Sequence, residues 1–240
     1  MKIAIIGYGK MGHVIEQIAK QRGNEVVLIL DALINPQDFT AENLQKADVA
    51  IEFTRPDAAF DNITKCFNAG VPVVSGTTGW LEKMPEAQRR CKEEGKTLFY
   101  SSNYAIGVNI FFRVNKFLAK LMNHYTNYDV NMQEIHHIHK LDKPSGTAIT
   151  IAEGIIENVD RKDSWTLDPK PTDKQIYIDV VREGEVPGTH TVNYTSEIDD
   201  LTITHVSHNR NGLALGAVLA AEFLVGKPSG YYTMDDLMQF

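Results

Sequence analysis

The sequence predicts an α/β protein of two domains. Three observations predict it. Short apolar, β-branched runs alternate with helix-like runs through the first part of the chain. A Gly-x-Gly-x-x-Gly turn, Gly7-Tyr8-Gly9-Lys10-Met11-Gly12, follows the first of those runs. Past Gly107 the alternation gives way to strand-like runs separated by short turns. Alternation of this kind builds a parallel sheet with helices on both faces, and a glycine turn at its first crossover makes the domain Rossmann-type and dinucleotide-binding. The later part reads as an α+β domain with a mixed open sheet, for substrate binding and oligomerisation. The expected boundaries are 1–105 with 211–240 for the first domain and 106–210 for the second.

Each element has its own signal. Residues 2–6 are an apolar strand. Met11, Val14, Ile15, Ile18 and Ala19 recur at helical spacing, and Gly23 closes that helix. Val26–Leu30 is a second strand, ending in Asp31. Residues 31–48 read as a loop with one short helix. Val49–Phe53 is a strand, and Pro56 suits the first turn of the helix that Gly70 stops. Val71–Ser75 and Thr97–Ser101 are strands flanking a polar helix over Pro85–Glu94. Val108–Asn123 is an amphipathic helix, Tyr128–Ile135 a strand, and Ala148–Ile156 a helix. Asp160–Lys174 reads as a surface loop. Gln175–Arg182, Thr189–Ser196 and Leu201–His208 read as successive antiparallel strands. Leu213–Val225 is so apolar that it must be a buried helix, returning to the first domain.

Composition narrows the function. With 24 basic against 31 acidic residues the net charge is −7, which argues against binding nucleic acid or an anionic membrane. An acidic small-molecule substrate remains open, since local positive charge can sit in an acidic whole. Ile3–Ile6 is too short for a signal peptide, and Leu213–Val225 is too short to span a bilayer. The two cysteines, Cys66 and Cys91, lack metal-ligand spacing and read as reduced thiols. The expectation is a cytoplasmic protein.

The glycines at 7, 9 and 12 permit a tight turn and let a pyrophosphate approach the backbone at a helix N-terminus. Asp31 can accept the adenosine ribose hydroxyls. It favours NADH by repelling a 2′-phosphate, while Lys10 could compensate, so NADH and NADPH both stand as cofactors. Ligands of an open parallel sheet collect beyond the carboxyl ends of its strands. That places Phe53-Thr54-Arg55, Gly76-Thr77-Thr78 and Ser101-Ser102-Asn103-Tyr104 along the groove.

A second motif, Glu134-Ile-His136-His137-Ile-His139-Lys140-Leu-Asp142-Lys-Pro-Ser145-Gly146-Thr147, precedes a predicted helix. Three readings compete for it. A metal site could draw on His137 and His139, with a third ligand from His205 or His208. Lys140 would repel the cation, and no acid stands at a ligand position. A structural role is the second reading. The third is acid–base chemistry on an anionic molecule: imidazole titrates near neutrality, lysine can bind a carboxylate, and a helix N-terminus attracts anions. A nicotinamide site upstream favours the third, with no metal.

This motif resembles the E-x-H-H-x-x-K-x-D-x-P-S-G-T-A signature of the dihydrodipicolinate reductase family. Gly9-Lys-Met-Gly12, Phe53-Thr-Arg-Pro56, Gly76-Thr-Thr-Gly79, Asn103–Asn109, Gly184–Val192 and Ala214–Ala217 are similar to its further segments. The resemblance implies NAD(P)H-dependent reduction of 4-hydroxy-tetrahydrodipicolinate, a small dicarboxylate, in the diaminopimelate route to lysine, by a homotetramer. It implies His136 as proton donor, Lys140 as second donor, and His137 as a substrate ligand. Ser145, Gly146 and Thr147 would cradle a carboxylate. Arg210 matches a substrate-domain arginine more loosely. Lys10 stands where the family has arginine, and Ser101-Ser102 where alanine or proline is common. Hinges are expected near 105–107 and 209–212. Two other classes remain: an amino-acid or sugar dehydrogenase of the same architecture, and a non-catalytic redox sensor.

Overall fold

The computed structural model describes residues 1–209 and 211–239. The chain divides into two compact units, Met1–Ile106 with Asn211–Phe240, and Gly107–Arg210.

The first unit starts β1 (Lys2–Ile6), α1 (Lys10–Gln21), β2 (Glu25–Leu30). Residues 31–48 hold a 3-10 turn at Pro36–Asp38 and the four-residue helix α2 (Ala41–Leu44). Then come β3 (Val49–Glu52), α3 (Pro56–Ala69), β4 (Val73–Ser75), α4 (Met84–Glu93) and β5 (Thr97–Tyr100). The second unit runs α5 (Ile106–Met122), β6 (Asp129–His136), α6 (Gly146–Ile156), β7 (Ser164–Thr166), β8 (Gln175–Arg182), β9 (Gly188–Thr195) and β10 (Asp200–Ser207). The chain returns to the first unit with α7 (Asn211–Leu224), β11 (Gly230–Tyr232) and α8 (Met234–Met238).

The first sheet has six parallel strands in the order β11-β5-β4-β3-β1-β2. Both faces are covered, so β1 reads as a continuous apolar run: Ala4 and Ile6 join the core under α3 and α4, Ile3 and Ile5 the core under α1 and α7. Helix α7 comes close to the sheet because it is built of small residues. A Cβ at Gly216 would stand 1.8 Å from the Tyr104 carbonyl oxygen. Glu222, the one charge in this apolar helix, accepts bonds from Arg22 at 2.9 and 2.7 Å and from Asn24 at 2.8 Å.

The second sheet has the order β10-β9-β6-β8-β7. The run from β8 to β10 is not the simple antiparallel meander that short turns imply. Strand β8 pairs with β6 in parallel, and β9 pairs with the other side of β6, antiparallel. The short β8–β9 connection therefore crosses β6. Strand β7 lies in the stretch whose polarity suggests a loop; β11 and α8 carry no strong periodic signal.

Helices α5 and α6 supply the apolar cover of one sheet face. Phe111, Ala119, Met122, Ala148, Ile151 and Ile155 pack there on Val130, Met132, Ile176, Ile178, Val192 and Tyr194. The two-residue period of a strand sets the side-chain directions along β6: Glu134 and His136 fall on the same buried face as Val130 and Met132. On β9, Gly188 and His190 likewise continue the face of Val192 and Tyr194. One end of a hydrophobic layer thus carries polar, titratable groups. Among the described residues no helix is long and apolar enough to cross a membrane. Both cysteines are free and buried, and burial pushes both thiols up.

Candidate active site

In the first unit, Gly9, Lys10, Met11, Phe53, Thr54, Pro56, Gly76, Thr77 and Thr78 line a cavity of about 370 Å³. The three glycines of the turn serve different ends. Gly7 has φ +92°, and a Cβ there would stand 2.1 Å from the Phe53 carbonyl oxygen. At Gly12 it would stand 2.3 Å from the Gly7 oxygen. At Gly9, the N-cap of α1, a Cβ would meet nothing within 4 Å, and no side chain caps the helix. Gly7 and Gly12 build the turn, and Gly9 leaves open space at the helix N-terminus, where anions are favoured. A nicotinamide dinucleotide fits this groove.

Asp31 accepts from the Tyr8 N–H at 3.1 Å and the Leu33 N–H at 2.9 Å, and these bonds hold its carboxyl below the usual range. It is therefore part of the turn's scaffold, with lone pairs left for ribose hydroxyls. Tyr8 stacks on His13, with ring centroids 4.0 Å apart, and bonds Glu16. The buried Glu52, missed in the sequence, accepts from Ser75 Oγ at 2.6 Å and Thr77 Oγ1 at 2.8 Å, and from Thr54 Oγ1. It fixes two of the loops that line the cavity.

The Ser101–Tyr104 segment follows β5. Tyr104 is 1% exposed and donates to the Ser75 carbonyl at 2.7 Å, so its ring belongs to the core and only its backbone can face the groove. Ser101 donates to the Asn103 carbonyl at 2.7 Å and accepts the Asn103 N–H at 3.1 Å, a local turn. Ser102 is exposed. None of the four lines the cavity.

In the second unit, His136 ends β6. Its Nδ1–H donates to the Pro187 carbonyl at 3.0 Å, and its ring rests on Gly188, where a Cβ would stand 2.7 Å from Cε1. The other ring nitrogen, Nε2, is buried with no partner among the described residues. Burial, with Lys140 and Arg182 adding to it, pushes the His136 pKa below its ordinary value against the pull of Glu134. His190 lies beside it, ring centroids 5.2 Å apart, with Nε2 3.2 Å from Ser145 Oγ. Beneath them Glu134, fully buried, accepts the Ser145 N–H at 3.0 Å and pairs with Arg182 at 2.8 Å. Burial opposes its ionisation, but the Ser145 and Arg182 bonds hold its carboxyl below the usual range.

The other residues of the motif surround this group. Ser145 caps α6 by accepting the Ala148 N–H at 3.1 Å and is 3% exposed, so its hydroxyl supports the start of the helix. Gly146 and Thr147, which open α6, are more accessible. Lys140 holds Asp142 at 2.8 and 2.9 Å, so its ammonium is already paired. His137 is half-buried, and its Nδ1 is buried without a partner among the described residues. His139 is exposed and faces Glu185 at 3.2 Å. The strand ends at His136, so His137 and His139 share no strand face for a metal. Among the described residues, the group with ligand-like spacing is Glu134, His136 and His190, within 4.8 Å of one another. The Glu134 oxygens are filled by Arg182 and Ser145, and a guanidinium at that place repels a cation. Arg210 lies outside the described residues.

Burial, then the nearby His136, pushes His190 down to about 4. The unfolded chain binds that proton near pH 6.5, so stability is full above about pH 6.5 and declines towards about pH 4, by about 3 kcal/mol. Urea unfolding between those limits should show this loss, and His190→Asn should reduce it. Equal slopes in the two proteins would remove His190 from the explanation.

A glycine-turn groove for a dinucleotide and a buried histidine with an unpartnered ring nitrogen define an NAD(P)H-dependent oxidoreductase of small molecules. Family models described as dihydrodipicolinate reductase, N-terminus, and dihydrodipicolinate reductase, C-terminus, match residues 1–104 and 107–238. The chain belongs to the dihydrodipicolinate reductase family. It is 49% identical over 238 residues to the 4-hydroxy-tetrahydrodipicolinate reductase of Christiangramia forsetii, covering 99% of this chain and 98% of the relative. It is 33% identical to that of Staphylococcus aureus, covering 99% and 100%. Among solved structures, a dipicolinate-bound dihydrodipicolinate reductase from Paenisporosarcina sp. TG-14 shares the fold, with TM-score 0.77, 24% identity and 97% of each chain covered. An amine dehydrogenase from Mycobacterium smegmatis shares it more distantly, with TM-score 0.56, 13% identity, and 98% and 95% covered.

Proposed function

We propose that this chain reduces 4-hydroxy-tetrahydrodipicolinate to tetrahydrodipicolinate with NADH or NADPH, in the diaminopimelate route to lysine. The observation that carries the reading is His136: a buried imidazole, fixed through Nδ1, whose Nε2 has no partner among the described residues. Such an atom is held ready for a proton transfer. The hydroxylated substrate loses water to give an unsaturated cyclic imine. The bound dinucleotide supplies a hydride, and one proton completes the reduction. His136 Nε2–H gives that proton, and Lys140 restores or assists it. His137, with Gly146 and Thr147 at the α6 N-terminus, receives the substrate carboxylates.

Burial lowers the His136 pKa in the free protein, whereas a bound dicarboxylate favours the imidazolium. Asp31 directly follows β2, and the chain has no basic residue from there to Lys46. NADH is therefore the preferred cofactor, with Lys10 the cation that admits NADPH.

The second unit also serves to assemble a homotetramer. Its edge strand β10 exposes Leu201 and Val206, an edge that pairing would cover. Sedimentation tests this. The free cysteines suit a reducing, cytoplasmic setting. The activity is tested by following NADH absorbance with freshly made hydroxytetrahydrodipicolinate against amino acids and sugars. Oxidation with an amino acid or sugar alone would favour the dehydrogenase alternative.

A further inference from the structure

Arg182 is the last residue of β8 and pairs in register with His136. Its guanidinium bridges three groups outside its own strand, besides the bond of Nη1 to the Val181 carbonyl at 3.0 Å. Nη2 donates to Glu134 Oε1 at 2.8 Å and to the Asp142 carbonyl at 2.6 Å. Nε donates to the Lys140 carbonyl at 3.3 Å. The side chain is 8% exposed and its partner carboxylate 0%. The second oxygen of that carboxylate takes the Ser145 N–H at 3.0 Å, at the cap of α6. One fork and one carboxylate thus tie the loop that carries Lys140 to the start of the helix that presents Gly146 and Thr147.

The loop needs such a tie. Leu141 is 94% exposed and Ile138 59%, so apolar burial contributes little to its position. Fold stability alone is a weak reason to bury this pair, because apolar residues of similar volume often replace a buried ion pair without loss. What they cannot do is hold two carbonyls and a carboxylate together, which takes the planar, multi-donor guanidinium.

We infer that Arg182 is a positioning residue of the reductase reaction: acting with Glu134, it sets Lys140 relative to the carboxylate-binding end of α6. This inference rests on the proposed function. Its distinguishing mark is that Arg182 acts through Lys140, which a general packing role would not.

The test is a double-mutant cycle on the full chain with hydroxytetrahydrodipicolinate and NADH. Arg182→Lys keeps a cation against Glu134 but loses the fork. It should lower kcat/KM by about 10- to 100-fold, as small misplacements of a reacting group do. The Kd for NADH, read by fluorescence, should stay within about twofold, since the groove lies in the other unit. In a Lys140→Ala background the same change should add less than about threefold, because coupled residues are not additive. Wild-type kcat/KM in Arg182→Lys, or fully additive losses in the double variant, overturns the inference. Arg182→Ala serves as a harsher version, and its failure to fold does not affect the cycle. Wild-type protein that does not turn over this substrate sinks the functional reading, and this inference with it. An active wild type with an additive cycle sinks the inference alone.

Discussion

Replacing His136 with glutamine should lower kcat by about 10²- to 10³-fold, the range of a lost general acid. The Kd for NADH should stay within about twofold, because the groove belongs to the other unit. Glutamine can still donate to the Pro187 carbonyl and occupies much of the ring's space over Gly188. What it cannot do is carry a transferable proton at the position of Nε2. The pH profile of the wild type should separate the two states of the protein. The free enzyme governs kcat/KM, and its protonated His136 is lost early because burial depresses the pKa. That parameter should fall with rising pH from below about 6.5. The complex governs kcat, and substrate carboxylates stabilise the imidazolium, so kcat should persist to higher pH. An unchanged kcat in His136→Gln would remove this residue from the mechanism.

The second large effect concerns the glycine turn. Gly9→Ala should leave the melting temperature within about 2 °C of wild type, because the added methyl meets only open space. It should weaken NADH binding by about tenfold or more, since the methyl stands where the pyrophosphate approaches the helix. Gly7→Ala should do the reverse in order of cause. Its φ of +92° and the Phe53 carbonyl 2.1 Å from the new Cβ force the backbone to move. A loss of at least about 2 kcal/mol of stability is expected before any ligand is added. Calorimetry and NADH titration on the two variants separate the roles. Equal losses of stability would mean that Gly9 is also a structural glycine.

The architecture is largely legible in the sequence because its signals are local. Helix period, strand run and glycine turn sit within a few residues of each other in β1, α1 and β2. Even the return of α7 can be read, since a helix that apolar has to be buried. What escapes depends on long-range pairing. Gln175–Arg182 reads as a strand, but nothing in it says that β8 will add to β6 in parallel. That pairing brings Arg182 beside His136 and Glu134. His190 escapes for the same reason: its role comes from lying across from Glu134 on β9. The alternation Val130, Met132, Glu134, His136 could indicate that both polar groups share the apolar face. The run of histidines directly after it obscures that signal. Tyr104 misleads in the other direction. It sits at the carboxyl end of a strand, where ligands collect, yet its side chain turns into the core. Ser145 does start a helix, as its sequence context implies. Its hydroxyl oxygen caps that helix and also lies 3.2 Å from His190 Nε2, a contact that depends on long-range pairing.

The most direct measurement follows deuterium from 4-deuterated NADH into product. With freshly made hydroxytetrahydrodipicolinate, the wild-type protein should yield tetrahydrodipicolinate carrying the label on a ring carbon, and His136→Gln should bind NADH while transferring almost none. Tight NADH binding by the wild type with no label in the product, and no NADH oxidised, would contradict the account.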